Sequence, residues 1–319
     1  MKSIGVYEFG GPEALQVLEL PAPHAGPGEV RIRVRAAAVN PTDIAVRSGV
    51  YAEHMAPDSR PPYVPGMDAA GVIDQLGPGS DDRLAVGQRV VAVVLPTGPH
   101  GGAYAEQIVV PAASVVPAPD GADFPAASTL LMNALTARMA LDALAVPPGG
   151  TVAVTGAAGA VGGYAIELAK ADGLTVVADA APKDTDLVRD TGADHVVERG
   201  AGVAARIRAL APDGVAGLVD GSIQTTEVLP AVADGGALAE LRGWSDSSEP
   251  LSGRGIRVHP VLVATALTDT ERLRTLSRQA EEGILTLRVA EVLPADHAAE
   301  AHRRLEAGGL RGRLVLDFS

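Results

Sequence analysis

At 319 residues the chain is long enough to bury a large core and is expected to form two domains rather than one. Its net charge of -13, from 26 Lys and Arg against 39 Asp and Glu, and its 3% aromatic content argue against general affinity for nucleic acid or for an anionic membrane, and against a base-stacking surface. The absence of cysteine excludes disulfides and thiolate catalysis and removes the usual ligands of structural zinc. The start MKSIGVYEFGG has no apolar signal core, and no apolar run reaches the roughly 18 residues of a membrane helix. A cytoplasmic protein with no membrane partner is therefore expected.

From residue 1 to about 118 the chain is rich in strand and turn signals. Candidate strands are Ser3 to Phe9, Leu15 to Leu20, Glu29 to Val39, Asp68 to Leu76, Gln88 to Leu95 and Ala103 to Val110, set apart by Gly and Pro clusters. They predict an all-β unit, a partly closed barrel. Two of its loops carry more polar detail than a barrel needs: Asn40-Pro41-Thr42-Asp43 with Arg47 to Tyr51, and Pro65-Gly66-Met67-Asp68.

After Val116-Pro117-Ala118-Pro119 a helical segment, Pro125 to Leu144, leads to Thr151 to Lys170, TVAVTGAAGAVGGYAIELAK. That stretch reads as a strand, a glycine turn and a helix, and Leu174 to Ala178 closes a βαβ unit. In the turn, Gly156 serves the bend and Gly159 the close approach of a pyrophosphate to the first N–H groups of the helix. Gly162 serves the packing of helix on strand. Further strands at His195 to Val197, Ala216 to Asp220, Ala237 to Leu241 and Ile256 to Val263 predict a doubly wound, six-stranded parallel sheet over 119–263. Pro260 places the last of these strands at the sheet edge. A helix at Thr268 to Glu282, a strand at Leu287 to Leu293, a helix at Ala295 to Ala307 and a strand at Arg313 to Phe318 are expected to complete the first unit as residues 264–319.

The segments VNPTDIAVRSGVY, VPGMDAAGVI, GQRV, GAYAEQIVVPA, NALTA, the AAGAVG turn, TGADHVV and EAGGLRGRLVL occur in an order and spacing that resemble the zinc-free quinone oxidoreductases, the zeta-crystallin-like branch of the medium-chain dehydrogenase/reductase superfamily. The resemblance covers essentially the whole chain. It implies a GroES-like catalytic domain with a Rossmann domain, and an active site in the cleft between them. It also implies hydride transfer from NADPH to a quinone or an α,β-unsaturated carbonyl, whose developing charge hydrogen-bond donors can stabilise. Zinc-dependent relatives carry a cysteine near Asn40 and a histidine at Met67, so no metal site is expected. The family commonly dimerises through the edge strand, and a homodimer is expected here.

Residue by residue, the resemblance puts Tyr51 and Asn40 at the acceptor as catalytic groups; an amphipathic loop anchor and an Asx turn before Pro41 are the alternatives. Asp43 and Asp68 are expected to cap loops or to pair with Arg47. Cofactor contacts are implied for Asn40, Thr136, Gly156, Ala158, Gly159, Ala160, Val161, Gly162, Ala181, Lys183, Arg199, Leu241 and Arg313. The position where NAD-specific folds carry an acid is Ala180, and strand alternation turns the preceding Asp179 to the other side. Lys183 and Arg199 are left to meet a 2′-phosphate, although Ala181 replaces a phosphate-binding serine and both cations have solvated surface roles as the alternative. NADPH is thus favoured over NADH. Two other functions stay open: an enoyl-thioester reductase, and a non-catalytic NADPH-binding protein with a structural or sensing role.

Overall fold

The computed structural model describes residues 1–80, 82–241 and 253–319, and the chain divides into two compact units. The first comprises Met1–Met132, Ala266–Gly283 and Leu287–Ser319; the second comprises Asn133–Thr265 and Ile284–Thr286.

In the first unit, β1 (Lys2–Gly5) and β2 (Gln16–Glu19) form an antiparallel pair. A larger sheet is built on β3 (Glu29–Ala38), which alternates buried Val30, Ile32 and Val34 with outward Arg31 and Arg33, the period-2 pattern of a strand with one face in the core. One side of β3 pairs with β4 (Asp68–Leu76), which pairs in turn with β5 (Arg89–Val93). The other side divides: residues 29–33 pair with β6 (Gln107–Pro111), and residues 36–38 pair with the last strand. β7 (Val115–Pro117) completes the far edge beside β5. A strand that changes partner along its length lets the sheet curl towards closure.

Between β3 and β4 lies α1 (Pro41–Ser48), begun by Asn40 and Pro41 and ended by Gly49 in the left-handed region at φ 84°, a conformation glycine adopts without strain. The expected helix over Pro125 to Leu144 is two helices, α2 (Phe124–Ala127) and α3 (Leu131–Leu144). The break has a local cause, because the hydroxyls of Ser128 and Thr129 bond back to the Pro125 and Ala126 carbonyls. Composition puts the domain boundary at 118, whereas residues 119–132 belong to the first unit. Phe124 packs against Ala36, Ala38 and Val315, and the Arg89 guanidinium lies 4.8 Å over its ring.

The second unit contains α3 from Asn133 onward, then β8 (Thr151–Thr155), α4 (Ala160–Ala171), β9 (Thr175–Ala180), α5 (Thr185–Asp190), β10 (His195–Glu198), α6 (Val203–Leu210), β11 (Val215–Asp220), β12 (Val232–Glu240) and β13 (Arg257–Pro260). The strands form a six-stranded parallel sheet in the order β10-β9-β8-β11-β12-β13, the doubly wound arrangement. Val152, Ala153 and Val154 are fully buried, as strands covered on both faces require. β13 is the edge strand: it pairs with β12 as far as Pro260 opposite Glu240, whose carbonyl accepts from the Val261 N–H at 2.8 Å, so the nitrogen of Pro260 faces the open side, where no N–H is needed.

The chain then returns to the first unit through α7 (Thr270–Glu281), β14 (Val289–Pro294), α8 (Ala298–Ala307) and β15 (Arg313–Asp317). Leu293, Ala298, Ala301, Leu314 and Leu316 share one core with Ile4, Ile32, Ile73 and Tyr104. Among the described residues, no helix is long and apolar enough to cross a membrane.

Candidate functional site

The candidate residues fall in both units. In the second, β8 delivers the chain into Gly156, whose φ is 67°. A Cβ there would meet the Gly221 carbonyl carbon at 2.7 Å, so glycine is required on both counts. At Gly162 a Cβ would stand 2.4 Å from the Gly156 carbonyl oxygen and 2.7 Å from Ala157 Cα. Gly162 therefore lets α4 close directly on the turn that leaves β8. Gly159 is different: its φ of -77° suits any residue, and a Cβ would approach only the Gly156 oxygen at 3.1 Å. It caps α4 without a side-chain bond, and Ala158, Gly159, Ala160 and Val161 are all part-exposed. Small residues and a helix N-terminus open to solvent fit the phosphates of a dinucleotide.

At the end of β9, Ala180 is buried and the preceding Asp179 is turned to the opposite side. That side faces the glycine turn. Asp179 Oδ1 accepts from the Ala157 N–H at 3.2 Å, and the Gly156 backbone also bonds it. Burial pushes its pKa up, opposed by these bonds and by Arg199. The carboxylate thus holds the turn from within. Beside it, Lys183 is exposed on a single turn, Pro182–Asp184. Arg199 is exposed just past β10, with its backbone N–H on the Ala180 carbonyl at 3.0 Å, so two cations flank the end of β9. Ala181, directly after β9, is part-exposed, Thr136 is buried on α3, and Leu241 follows β12 part-exposed.

Asp220, at the end of β11, is a second buried carboxylate. It accepts from the Thr155 hydroxyl at 2.8 Å and from the Thr225 N–H at 2.7 Å. It pins a turn in which Ile223 and Thr225 adopt φ of 57° and 48°, costly for β-branched residues.

The first unit contains Asn40, Tyr51 and Arg313. Asn40 is fully buried; its side-chain amide donates to Asp68 Oδ2 at 2.9 Å and Ala38 O at 3.4 Å, and its backbone N–H donates to Asp43 Oδ2 at 2.8 Å. With Asp43 it forms a reciprocal capping box on α1. Asp43 also accepts from the Gly66 N–H at 3.1 Å and the Tyr104 hydroxyl at 3.0 Å. Burial raises its pKa to about 7 against these donors. Asp68 accepts from the Met132 N–H at 2.9 Å; burial raises its pKa to about 6, and the nearby Arg313 charge lowers it. Tyr51 is part-exposed after α1, its ring edge-on to His54 at 5.8 Å.

Arg47 does not pair with either aspartate. Its Nη2 lies 2.6 Å from Glu306 and its Nε donates to Gly10 O at 3.1 Å. Its Nη1 contacts His302 Nδ1 at 3.4 Å. Because arginine only donates, Nδ1 is the acceptor and the His302 proton sits on Nε2. Nε2 donates to Tyr104 Oη at 3.2 Å, and Tyr104 donates to Asp43. Tyr104 and His302 are both fully buried. Sequence reasoning misses this pair: 198 residues separate them, and neither stands in a motif with the other.

No group of three His, Cys, Asp or Glu residues suited to a metal occurs among the described residues. Asn40 offers an amide and Met67 a thioether, and the oxygens of Asp43 and Asp68 already accept from protein donors. This donor set does not fit a tightly held zinc ion.

Two family models match the chain: the alcohol dehydrogenase GroES-like domain over residues 26–120 and the zinc-binding dehydrogenase over 191–316. A quinone oxidoreductase of Pseudomonas aeruginosa is 30% identical over 99% of both chains. The synaptic vesicle membrane protein VAT-1 homolog of Rattus norvegicus is 35% identical over 60% of this chain, and the match spans only 46% of that protein. Among solved structures, an NAD-dependent alcohol dehydrogenase is 32% identical with a TM-score of 0.87 over 100% of both chains. A mycobacterial protein complexed with NADPH is 29% identical with a TM-score of 0.86, over 99% of this chain and 100% of that one. The fold, the glycine turn and these matches together define a chain with a GroES-like domain and a Rossmann domain. The chain belongs to the medium-chain dehydrogenase/reductase superfamily and is quinone oxidoreductase-like.

The two helix glycines make opposite predictions. Gly162→Ala is expected to lower stability by about 1–3 kcal/mol through overpacking, seen as an earlier urea midpoint. Gly159→Ala should leave that midpoint nearly unchanged and weaken dinucleotide binding in a calorimetric titration.

Proton linkage at His302 gives another. Burial, aided by the Arg47 charge, lowers its pKa from 6.5 to about 3, so the unfolded chain binds that proton and the folded chain does not. Its stabilising contribution is complete above the unfolded value of 6.5 and is lost as pH falls towards about 3. Asp43 and Asp68 have raised values and contribute with the opposite sign, losing stability as pH rises through about 7 and about 6. His302→Gln is therefore expected to lose less stability than the wild type on acidification below 6.5, measured by urea unfolding at a series of pH values.

Proposed function

We propose that this protein is an NADPH-dependent reductase that passes hydride to a quinone or an α,β-unsaturated carbonyl without a resident metal, and that it acts as a homodimer in the cytoplasm. The observation that carries the cofactor reading is the state of Asp179. Its carboxylate is buried on the glycine turn, so it is withdrawn from the ribose, while Lys183 and Arg199 flank the same strand end. An acidic group offered to the ribose favours a 2′-hydroxyl and repels a phosphate; two nearby cations do the reverse. The part-exposed N-terminus of α4 suits the pyrophosphate.

Bound nicotinamide supplies the hydride, and the protein has to orient the acceptor and stabilise the charge that develops on its oxygen. Tyr51, part-exposed on the loop after α1, is the donor we assign to that oxygen. Asn40 is assigned to holding the loop, since its amide hydrogens are bonded to Asp68 and Ala38. A conjugated acceptor fits a donor set without a metal, because its charge delocalises onto an oxygen that a hydroxyl can meet. The deciding experiment follows NADPH oxidation with quinones, enones and enoyl thioesters, before and after dialysis against a chelator. Turnover with the first two in both preparations supports the reading. Turnover with thioesters alone, no turnover on any acceptor, or activity lost on chelation and restored by zinc would reject it.

Lys183→Ala is expected to raise KM for NADPH about tenfold, the loss of roughly one charge-assisted hydrogen bond, and to leave KM for NADH nearly unchanged. Steady-state kinetics with both cofactors check this; equal effects, or a wild type that prefers NADH, would remove Lys183 as the selector.

The homodimer reading rests on β13, the edge strand of the parallel sheet, whose far side pairs with no other strand among the described residues and invites pairing with a second copy. Light scattering at micromolar concentration should give twice the mass of one chain, and a monomer mass would refute it.

A further inference from the structure

We propose that His302 is a positioning residue for the reaction, acting through Tyr104 and Asp43 on helix α1 and thereby on Asn40 and Tyr51 at its two ends. The proposal rests on the reductase reading for what Tyr51 does, but its structural part stands on the hydrogen bonds alone.

Asp43 and Arg47 lie four residues apart on α1, one turn along a single face, where opposite charges ordinarily meet. Here they do not. Arg47 Nη1 reaches His302 Nδ1 at 3.4 Å, His302 Nε2 reaches Tyr104 at 3.2 Å, and Tyr104 reaches Asp43 at 3.0 Å. His302 and Tyr104 are thus interposed between the two charges, and the chain closes into a ring with the helix backbone. The first turn of α1 is fixed by Asp43, which also accepts from Asn40 N–H and Gly66 N–H. The last turn is fixed by Arg47, which Glu306 and the Gly10 carbonyl hold from the other side.

The ring has a direction. Arg47 cannot accept, so His302 must carry its proton on Nε2; Tyr104 must then donate onward, and Asp43 must accept. Reversing His302 would put two donors face to face at Arg47. The ring therefore favours the carboxylate form of Asp43, the form that can take the N–H groups of both polar loops at once. The groups facing Asp43 are Asn40, Gly66, Tyr104 and, through space, Asp68; those facing His302 are Arg47 and Tyr104. Just past the last turn so fixed, Gly49 turns the chain out of α1 towards Tyr51.

Three variants test this. His302→Phe fills the same space without hydrogen bonds, His302→Gln can still accept from Arg47 and donate to Tyr104, and Tyr104→Phe removes one hydroxyl with almost no change in volume. In the intact protein, His302→Phe and Tyr104→Phe are expected to lower kcat by about tenfold or more, as misplacement of a reacting group does, and to leave KM for NADPH within about twofold. His302→Gln should recover kcat to within about threefold of the wild type. Amide hydrogen exchange gives a readout independent of activity: protection at Asn40, Gly66 and Ala52 should fall in both Phe variants and return in His302→Gln, with the amides of β8 and β11 unchanged. If His302→Phe fails to fold, Tyr104→Phe decides the matter. Wild-type kcat and protection in Tyr104→Phe, or a Gln variant no better than Phe, would overturn the proposal. If the wild type reduces no acceptor, the reductase reading fails and hydrogen exchange alone judges the ring.

Discussion

A buried carboxylate that binds backbone N–H groups is the interaction on which the first unit's polar loops depend. Asp43 is inaccessible to solvent, and its oxygens take the N–H groups of Asn40 and Gly66 and the hydroxyl of Tyr104. These donors come from three separate stretches of chain. A charge without them would be too costly to bury, and the N–H groups without it would be unpaired in the interior. Neither loop can therefore take its observed course without the other. Asn40 extends the same logic to Asp68, which meets the N-terminal turn of α3 at Met132.

The second unit uses the same device for a different end. Asp179 takes the Ala157 N–H beneath the glycine turn, and Asp220 ties Thr155 to the turn at Thr225. Both acids stand at the carboxyl ends of parallel strands, where a doubly wound sheet receives its ligand. Their inward engagement leaves the outer face of the glycine turn to small side chains and to the N–H groups at the start of α4. An acid placed one residue along β9, at Ala180, would occupy the position from which NAD-specific folds address the ribose. A shift of one residue on a strand thus changes a carboxylate from a ligand contact to a support for the backbone.

Much of this was legible from the residues. Periodicity identified β3, β4 and β8 because each buries a regular set of side chains, and Pro260 marked the edge strand through a missing N–H. The glycine turn was legible for the same kind of reason, since positive φ at Gly156 and close approach at Gly162 leave no other residue type. Ends of elements were less so. β12 begins at Val232 and runs through Gly235 and Gly236, where its pairing with β11 shifts register. Gly235 stands in open space at φ 72°, which favours glycine, whereas a Cβ on Gly236 would lie 2.9 Å from the Ala216 carbonyl oxygen.

The fate of Arg47 shows where local reasoning stops. On α1 alone, Asp43 and Arg47 satisfy the spacing of a helix ion pair, which in water contributes only about 0.2–0.5 kcal/mol. Inside the unit that modest gain competes with three alternatives: backbone donors for the carboxylate, Glu306 for the guanidinium, and a neutral imidazole that accepts from one and passes a donor towards the other. The alternatives satisfy more groups, and a buried site favours the arrangement that leaves the fewest unmet. His302 enters from α8, 255 residues after Arg47, so no window along the chain contains the competition. It becomes visible only when β15 pairs with β3 and α8 joins the same core, bringing the tail of the chain to the helix that its first loop began.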